Sequence, residues 1–374
     1  MADPGHRSME QVWITGPEQV EVRRVPVPVP AAGEVLVATG YAGICGSDLH
    51  TLRRGHPWLP YPIPPGHEAA GTVAALPAAG AGSSAAGGSS ATGATGTLLG
   101  VGDPVYLRPA IACGNCFYCA RSRPNLCAGL IGVGSHRPGA FAGYFTVPAV
   151  ALAPVPAGVS LATAAMIEPL ATAIHAVAVA AGPPGDLAGA TVAVLGGGTI
   201  GQCVLLAVRA AGAHDVVLTD PVRSKRDLAV ATGAVAAFDP ADPRTEAEIA
   251  GRLSGRPDLV VDCVASTASL RVAVRLATRG GTVVVVGAGH GPLDVTIETI
   301  QDDEVRIAGS AMYLPADFAA AERLVAAGAP VRRLVTSVRP IRDAAAALRA
   351  AATGAEIKIQ LAGPAGRRGA SWRP

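Results

Sequence analysis

The sequence predicts an α/β protein that combines a doubly wound parallel sheet with a separate β-rich domain. From Val192 to Asp220, an apolar run, a glycine-rich turn, an apolar helical stretch and a second apolar run follow one another. Apolar runs continue to alternate with helical stretches at Leu259–Val261 and Thr282–Val286, as in a parallel sheet covered by helices. Residues 11–40 instead alternate short β-like runs with prolines, which central strands exclude.

Prolines and glycines divide the β-rich part. Val25–Pro30 alternates valine with proline and cannot form a central strand, because proline removes a ladder donor. Strands are predicted at Gly33–Thr39, Gly71–Leu76 and Asp103–Leu107. Between the last two strands, residues 77–97 contain only Ala, Gly, Ser and Thr after an initial proline, and this composition predicts a mobile surface insert.

The rest of the chain completes both domains. Three helices and then a closing strand are predicted at residues 167–180, 316–327, 343–352 and 356–361. We therefore expect residues 1–165 and 312–374 to form the β-rich domain. Residues 166–311 should form the nucleotide domain.

The glycine-rich turn has the pattern of a dinucleotide-binding unit. Three glycines in the pattern G-x-G-x-x-G lie between strand and helix, and an acid follows about 20 residues later, as that unit requires. The helix N-terminus offers unpaired N–H groups to a pyrophosphate. An ordinary glycine-rich turn is the alternative. The expected cofactor contacts are Gly196, Gly198, Thr199, Ile200, Gly201 and Asp220.

Asp220 favours NAD over NADP. A carboxylate at the end of the second strand accepts hydrogen bonds from the adenosine ribose diol and repels a 2′-phosphate. Arg223, Lys225 and Arg226 lie nearby and offer positive charge for that phosphate, which keeps NADP as the alternative.

Composition and charge exclude several functional classes. The net charge of +2 comes with no basic stripe interleaved with aromatics, so no nucleic-acid partner is expected. The charged N-terminus does not resemble a signal peptide. Leu187–Val208 is long and apolar enough to span a membrane, but it contains the glycine motif and is better explained as a buried core element. We expect a cytoplasmic protein with no membrane partner.

Four cysteines form a compact cluster in residues 113–127. The spacing C-x2-C-x2-C-x7-C supplies four soft ligands, which suits a closed tetrahedral structural zinc site. Disulfides are disfavoured in the cytoplasm, and an iron–sulfur cluster is a second alternative. The expected ligands are Cys113, Cys116, Cys119 and Cys127.

A second group of reactive residues lies in turns rich in glycine and proline. A thiol, an imidazole and a carboxylate that leave one position open describe a catalytic zinc site. Taken singly, these residues also have ordinary structural explanations, such as a histidine in the core or a glutamate exposed to solvent. The group consists of Cys45, Ser47, Asp48, His50, His67, Glu68 and Glu168.

Together these motifs resemble the zinc-containing medium-chain alcohol dehydrogenases, in particular the sorbitol and threonine dehydrogenase branch. The resemblance rests on five motifs, which follow one another along the chain in the order Gly43–His50, Gly66–Glu68, the four-cysteine cluster, Glu168–Leu170 and the glycine motif. The resemblance extends from about Val12 to Leu361. It implies a GroES-like catalytic domain followed by a Rossmann NAD-binding domain. The insert at 77–97 departs from the family pattern and leaves the motifs intact.

The resemblance also implies the roles of individual residues. Cys45 and His67 would bind the catalytic zinc, and Glu68 and Glu168 compete for the remaining protein position or exchange with water. Ser47 would accept the substrate proton and His50 would release it. The resemblance further implies that Lys225 contacts the adenosine ribose, that each chain holds one catalytic and one structural zinc ion, and that the protein forms a homodimer or homotetramer.

The reaction implied is oxidation of a secondary alcohol to a ketone, with hydride transfer to NAD. The expected substrate is a sugar, polyol or aminocyclitol. Abundant Ala, Gly, Pro and Arg, with Lys225 and Lys358 as the lysines, is typical of a GC-rich actinobacterial genome and leads to the hypothesis of an aminoglycoside-biosynthesis dehydrogenase. Acids at Asp48, Glu168 and residues 302–304 would tolerate a polar or cationic substrate.

Three alternatives remain from the sequence. One is a catabolic polyol or threonine-type dehydrogenase. Another is a zinc-independent quinone or enoyl reductase that uses NADPH, which would need neither Cys45 nor His67. The third, from a different class, is a non-catalytic protein that binds NAD and zinc.

Overall fold

The computed structural model describes residues 8–56, 59–77, 90–182, 186–289 and 291–366. The chain divides into two compact units, the first made of Met1–Glu168 with Val335–Pro374 and the second of Pro169–Leu334. The first unit is β-rich and the second alternates strands and helices, as the sequence predicts.

The N-terminal part of the first unit consists mainly of strands. Its elements are β1 Ser8–Gly16, β2 Gln19–Pro26, β3 Glu34–Gly43, α1 Gly46–Arg54, β4 Glu68–Ala75, β5 Ala91–Thr92, β6 Leu98–Leu99, β7 Pro104–Leu107, β8 Ala110–Ile111, β9 Ile131–Gly132, β10 Tyr144–Pro148, β11 Leu152–Pro154 and α2 Leu161–Ala164.

The second unit follows the helix–strand alternation that the sequence predicts. Its elements are α3 Ile167–Ala181 (whose first two residues belong to the first unit), β12 Thr191–Leu195, α4 Thr199–Ala210, β13 Asp215–Thr219, α5 Arg223–Ala231, β14 Ala236–Phe238, α6 Thr245–Arg252, β15 Leu259–Asp262, α7 Thr267–Leu276, β16 Thr282–Val285, α8 Ile297–Gln301, β17 Arg306–Gly309 and α9 Pro315–Ala326.

The chain then returns to the first unit through β18 Val335–Pro340, α10 Ala344–Ala352 and β19 Lys358–Ala362. The return was expected at residue 312, whereas the second unit continues to Leu334. The intervening residues stay there because Asp317 on α9 bonds to His175 on α3, with 2.9 Å between Oδ2 and Nδ1, and Arg333 donates to the Ala231 carbonyl.

The first unit is organised on a seven-stranded sheet in which β3 is central. Its order is β11-β7-β4-β3-β19-β18, and β10 also pairs with β3. Val35, Val37 and Phe145 pack in the core of this unit. β4 and β19 both pair antiparallel with β3 around Gly43, so the sheet brings residues from distant parts of the chain to one place. The valine–proline run contributes only the end of β2, in a separate two-stranded sheet with β1.

The second unit is a doubly wound parallel sheet. Its order is β14-β13-β12-β15-β16-β17, and every pair is parallel. The crossing point lies beside β12, from which the chain moves first to one side and then to the other, as in a Rossmann fold. The apolar residues of β12, Val192 to Leu195, are all buried, as expected for a strand covered on both faces.

Two apolar stretches are explained by this fold. Leu187–Val208 contains β12, the glycine turn and most of α4, so it is a strand–turn–helix unit. The helical stretch Leu161–Ala181 is long and apolar enough to cross a membrane by length and composition, but two thirds of it is buried, 67%, as in a core helix. Within the insert, residues 78–89 lie outside the described residues, and β5 and β6 form a short hairpin at its end.

Candidate active site and metal centres

Three potential metal ligands converge where β3 and β4 meet. Cys45 follows β3 and lies at the N-cap of α1, while His67 and Glu68 lie at the start of β4. One ligand atom from each of these residues lies within 4.8 Å of the others. A sulfur, a nitrogen and a carboxylate oxygen at this separation form a donor set that fits a zinc ion with an open position.

Asp48 supports two of these ligands, a role that the sequence analysis had not given it. Its Oδ2 accepts the Cys45 N–H at 2.9 Å, and its Oδ1 lies 3.8 Å from His67 Nδ1. Burial raises the pKa of Asp48, against the opposing effect of His67. A carboxylate behind a histidine fixes the orientation of the ring and makes the ligand more basic.

The electrostatics of His67 favour a bound cation. Burial alone would lower the pKa of His67, but Asp48, Cys45 and Glu168 together raise it well above its ordinary value. A site that stabilises the charged imidazolium also stabilises a metal ion in the position of the proton.

Glu68 forms a buried ion pair with a lysine. Both of its carboxylate oxygens accept hydrogen bonds from Lys358 Nζ, at 2.8 and 2.5 Å, and both side chains are only 1% exposed. Lys358 lies on β19, 290 residues away in sequence. No sequence signal pointed to this contact, although a lysine inside an apolar closing strand is unusual.

The remaining predicted residues lie around the same centre. Glu168, the second residue of α3, is buried and close enough to raise the pKa of both His67 and Lys358, although it is not one of the three clustered ligands. Ser47 and His50 lie on α1, three positions apart, so they share one side of the helix. Ser47 is exposed and His50 is half-buried.

The four cysteines of the cluster meet at distances that suit one zinc ion. Their sulfurs are separated by 3.4 Å between Cys113 and Cys127, 3.6 Å between Cys116 and Cys119, and 3.9 Å between Cys116 and Cys127. Zn–S bonds of about 2.3 Å in a tetrahedron place sulfurs about 3.8 Å apart. A disulfide needs about 2.05 Å, so all four are free thiols.

The surroundings of these cysteines change the pKa values of their thiols. Hydrogen bonds from the Cys119 and Ala128 amides lower the pKa of Cys116 to about 6, so this thiol ionises readily near neutral pH. Burial and the neighbouring thiols raise the pKa of Cys119 to about 11. A zinc ion displaces the remaining protons, because thiolates are the ligand form.

The glycine motif has the geometry that its spacing predicts. Gly196 follows β12 with φ of 96°, which favours glycine. A Cβ on Gly201 would lie 1.7 Å from the Gly196 carbonyl oxygen, so helix and strand could not approach as they do. A Cβ on Gly198 would meet nothing within 4 Å, which leaves room for a pyrophosphate at the start of α4.

These two glycines give a matched pair of variants. Gly201→Ala is expected to lower the free energy of unfolding by roughly 2–3 kcal/mol, because its clash is with backbone. Gly198→Ala should keep the wild-type stability, since its φ of −69° suits alanine, but should weaken NAD binding about tenfold or more by filling the space of the pyrophosphate. Thermal unfolding and NAD titration of both variants check this. Equal stability of the two would contradict the assignment.

Asp220 lies at the end of β13, next to the glycine turn. Its Oδ2 accepts the Gly197 N–H at 2.8 Å and its Oδ1 accepts the Val222 N–H at 2.8 Å. These bonds fix the carboxylate beside the motif and leave further lone pairs for a ribose diol. Gln202, which the sequence analysis had not singled out, donates to the Lys225 carbonyl at 2.9 Å and ties α4 to α5.

Two of the three nearby basic residues, Arg226 and Lys225, are poorly available to a 2′-phosphate. Arg226 donates to the Asp220 and Pro221 carbonyls and pairs with Asp239 at 3.2 Å. Lys225 is buried. Arg223 is 86% exposed and lies 3.7 Å from Asp227. The site therefore favours NAD.

Two of the acids proposed to receive a cationic substrate have other partners. Asp303 pairs with Arg279 at 2.8 Å, on the second unit. Asp48 is occupied by Cys45 and His67 as described above. Asp302 and Glu304 are exposed.

Comparison with known proteins agrees with both units. Residues 31–157 match the alcohol dehydrogenase GroES-like domain, and residues 199–327 match the zinc-binding dehydrogenase domain. The L-galactonate-5-dehydrogenase of Escherichia coli K12 is 30% identical over 313 residues, covering 83% of this chain and 86% of that protein. The D-xylulose reductase A of Aspergillus oryzae is 29% identical over 362 residues, covering 94% and 95%.

Solved structures share the complete fold. A zinc-binding dehydrogenase from Sinorhizobium meliloti 1021 bound to NADP has a TM-score of 0.83 at 31% identity, covering 96% of this chain and all (100%) of that one. An alcohol dehydrogenase from Escherichia coli CFT073 complexed with NADH has a TM-score of 0.82 at 27% identity, covering 95% and 99%.

The chain belongs to the zinc-containing medium-chain alcohol dehydrogenases, with a GroES-like domain and a Rossmann domain. It is an NAD-dependent alcohol dehydrogenase that uses zinc. The fold class and the reaction class predicted from the sequence are therefore confirmed.

Proposed function

We propose that this enzyme oxidises a secondary hydroxyl group of a sugar-derived polyol or sugar acid, at a zinc ion held by Cys45 and His67. The observation that carries the proposal is the ligand pair with the buried Asp48 carboxylate behind it. Relatives named for D-xylulose and L-galactonate support the substrate class. In this account Cys113, Cys116, Cys119 and Cys127 hold a second, structural zinc ion.

The chemistry divides between the bound groups and the chain. Zinc supplies a Lewis acid for the hydroxyl oxygen of the substrate, and NAD accepts the hydride. Asp48 orients His67 and increases its basicity through the contact with the ring. Ser47 accepts the hydroxyl proton as it passes on its own, and His50, on the same side of α1, releases the relayed proton.

The nucleotide is held by the second unit. Gly198 leaves room for the pyrophosphate, while Gly196 and Gly201 allow the tight turn and the close packing of helix on strand. Thr199 and Ile200 are the first residues of α4, and Asp220 accepts hydrogen bonds from the ribose diol. Contact of the Lys225 side chain with the ribose stays a prediction, because Lys225 is buried. Because Arg226 is occupied by carbonyls and Asp239, we expect NAD to be preferred over NADP.

Glu168 is the better candidate for a carboxylate that exchanges at the catalytic zinc. Glu68 has both oxygens on Lys358, whereas Glu168 is buried nearby and acts on His67. This choice between the two carboxylates had been left open by the sequence.

An aminocyclitol or amino sugar is the second substrate class, as in aminoglycoside biosynthesis. A buried carboxylate at Glu168 beside the centre would accommodate an ammonium group. Asp48 and Asp303 cannot add to this charge, because each is paired. We therefore rank a neutral polyol first.

The enzyme is proposed to assemble through its nucleotide domain. β17 is an edge strand of the six-stranded sheet, and Leu293, Ile297 and Ile300 are 50%, 75% and 50% exposed in the segment before it. An open edge beside exposed apolar side chains suits pairing with a second copy, as in a homodimer or a homotetramer built from dimers.

The compartment proposed for the enzyme is the cytoplasm. Its cysteines are free thiols, which is consistent with a reducing environment.

The substrate class is tested by following NADH formation with a panel of compounds. The panel holds xylitol, sorbitol, L-galactonate, myo-inositol, a 2-deoxy-aminocyclitol and L-threonine, each with NAD and with NADP. We expect kcat/KM to be highest for a neutral polyol or sugar acid and at least about tenfold higher with NAD, a difference of about 1.4 kcal/mol. A higher kcat/KM for the aminocyclitol than for the neutral compounds would instead favour the second substrate class. No turnover of any compound, with zinc present, would favour a non-catalytic binding protein.

A further inference from the structure

Lys358 makes a complete set of hydrogen bonds inside the first unit. Its Nζ donates to the Ile44 carbonyl at 2.7 Å and to the two Glu68 oxygens at 2.8 and 2.5 Å. An ammonium group has three N–H donors, so none remains for another partner. The side chain is 1% exposed, which makes this a buried ion pair and not a surface contact.

The strand pairing of the sheet places Lys358 and Glu68 next to each other. β3 pairs with β4 at Gly43 and Glu68, and with β19 at Gly43 and Gln360. The Ile44 N–H also bonds to the Ile359 carbonyl at 2.9 Å, so Lys358 follows from the register of these strands.

Gly43 provides the space in which the pair meets. A Cβ on Gly43 would lie 2.1 Å from Glu68 Oε2 and 3.2 Å from Lys358 Cδ. Any side chain at this position would separate the two groups or push them towards the ligands. The strand register and this glycine therefore fix where the carboxylate lies.

The pair limits what Glu68 can do at the metal. A Glu68 oxygen lies within 4.8 Å of the ligand atoms of Cys45 and His67, so a rotation would bring it to an ion held there. That rotation would break both hydrogen bonds between Lys358 and Glu68 and separate a buried ion pair, which is strongly unfavourable.

We propose that Lys358 is a positioning residue of the catalytic centre, which holds the Glu68 carboxylate away from zinc and so keeps a coordination position open for the substrate oxygen. It touches neither substrate nor cofactor. The proposal rests on the zinc centre and not on which alcohol is oxidised, so the substrate panel can fail without affecting it.

The first test replaces the carboxylate. Glu68→Gln is nearly isosteric, and the protein is loaded with Co²⁺, whose visible absorption reports the ligands of the metal. With Glu68 off the metal, the variant should show the absorption bands of the wild type, and metal release to a chelator should change less than about tenfold, the lower end for outer partners. A shifted spectrum would overturn the proposal, because Glu68 would then be a ligand.

The second test removes the ammonium group. Lys358→Met should let Glu68 bind, which adds an oxygen ligand to the cobalt spectrum, slows metal release at least tenfold and lowers kcat at least tenfold. The double variant Lys358→Met/Glu68→Gln should recover the wild-type spectrum and release rate, and Lys358→Arg should resemble the wild type throughout. An unchanged spectrum in Lys358→Met, or a change that persists in the double variant, would overturn the proposal. If Lys358→Met does not fold, the Glu68→Gln spectrum still decides.

Discussion

Replacing Cys45 or His67 with alanine is expected to abolish alcohol oxidation while NAD binding persists. Each replacement removes one of the three clustered ligand side chains, and the second unit that holds the nucleotide is unchanged. A Lewis acid stabilises the developing charge by several kcal/mol, and 1.36 kcal/mol corresponds to tenfold in rate. We therefore expect kcat to fall by about 10³-fold or more.

The measurement compares turnover, catalytic zinc content and NAD titration in each variant. His214→Ala is the matched control for His67→Ala, because His214 is an exposed histidine of the second unit that contacts Arg209. The control should retain both zinc ions and full turnover. Normal turnover in His67→Ala without catalytic zinc would refute the assignment of the centre.

The second large effect is expected from the four-cysteine lobe. Cys116→Ser removes the thiol whose pKa is lowered to about 6, and leaves three sulfurs where a tetrahedral zinc site needs four ligands. Structural zinc contributes directly to folding, with apparent binding free energies of about 10–16 kcal/mol in small zinc domains. In this larger unit we expect a loss of about 4 kcal/mol, and a Tm lower by about 8–16 °C.

Zinc analysis and thermal unfolding check this prediction. Cys116→Ser should lose one of two zinc ions per chain, and limited proteolysis should cut within residues 113–127. Cys263→Ala is the control, since Cys263 belongs to neither metal cluster. A variant that keeps both zinc ions and the wild-type Tm would show that these cysteines are not a structural metal site.

The nucleotide site was predictable because its determinants are close in sequence. Gly196 and Gly201 are five residues apart, and the contact that requires glycine is between these two residues. Asp220 follows at the end of the next strand, and its bond to Gly197 spans only 23 residues. In such a unit the order of strand, turn and helix determines the geometry.

The candidate metal ligands were predictable as residue types, but their supporting contacts were not. Cys45 and His67 stand in recognisable motifs, and the structure places them together. The partner of Glu68 lies 290 residues away, and only the pairing of β19 and β4 with β3 connects them. A sequence pattern does not show which distant strands are neighbours in the sheet, so the contact between Lys358 and Glu68 was not predicted.

Asp48 and the domain boundary illustrate the same limit. Asp48 was visible as an acid in a motif, and its bond with the Cys45 amide is local, but its contact with the His67 ring depends on the approach of β4 to α1. The chain leaves the second unit at Leu334 and not at residue 312, because the buried pair of His175 and Asp317 joins α3 to α9. Both contacts are between elements that are separate in sequence.

The most direct test of the account is the rate of NADH formation as zinc is returned to the chelated enzyme. A closed site with four cysteine ligands and a centre with an open position should release zinc at different rates, so the catalytic ion can be titrated separately with a polyol as substrate. We expect no turnover without that ion, and a rate that rises in proportion to its occupancy until one ion per chain has been restored. Full turnover with the Cys45–His67 centre free of metal would contradict zinc-dependent alcohol oxidation at this site.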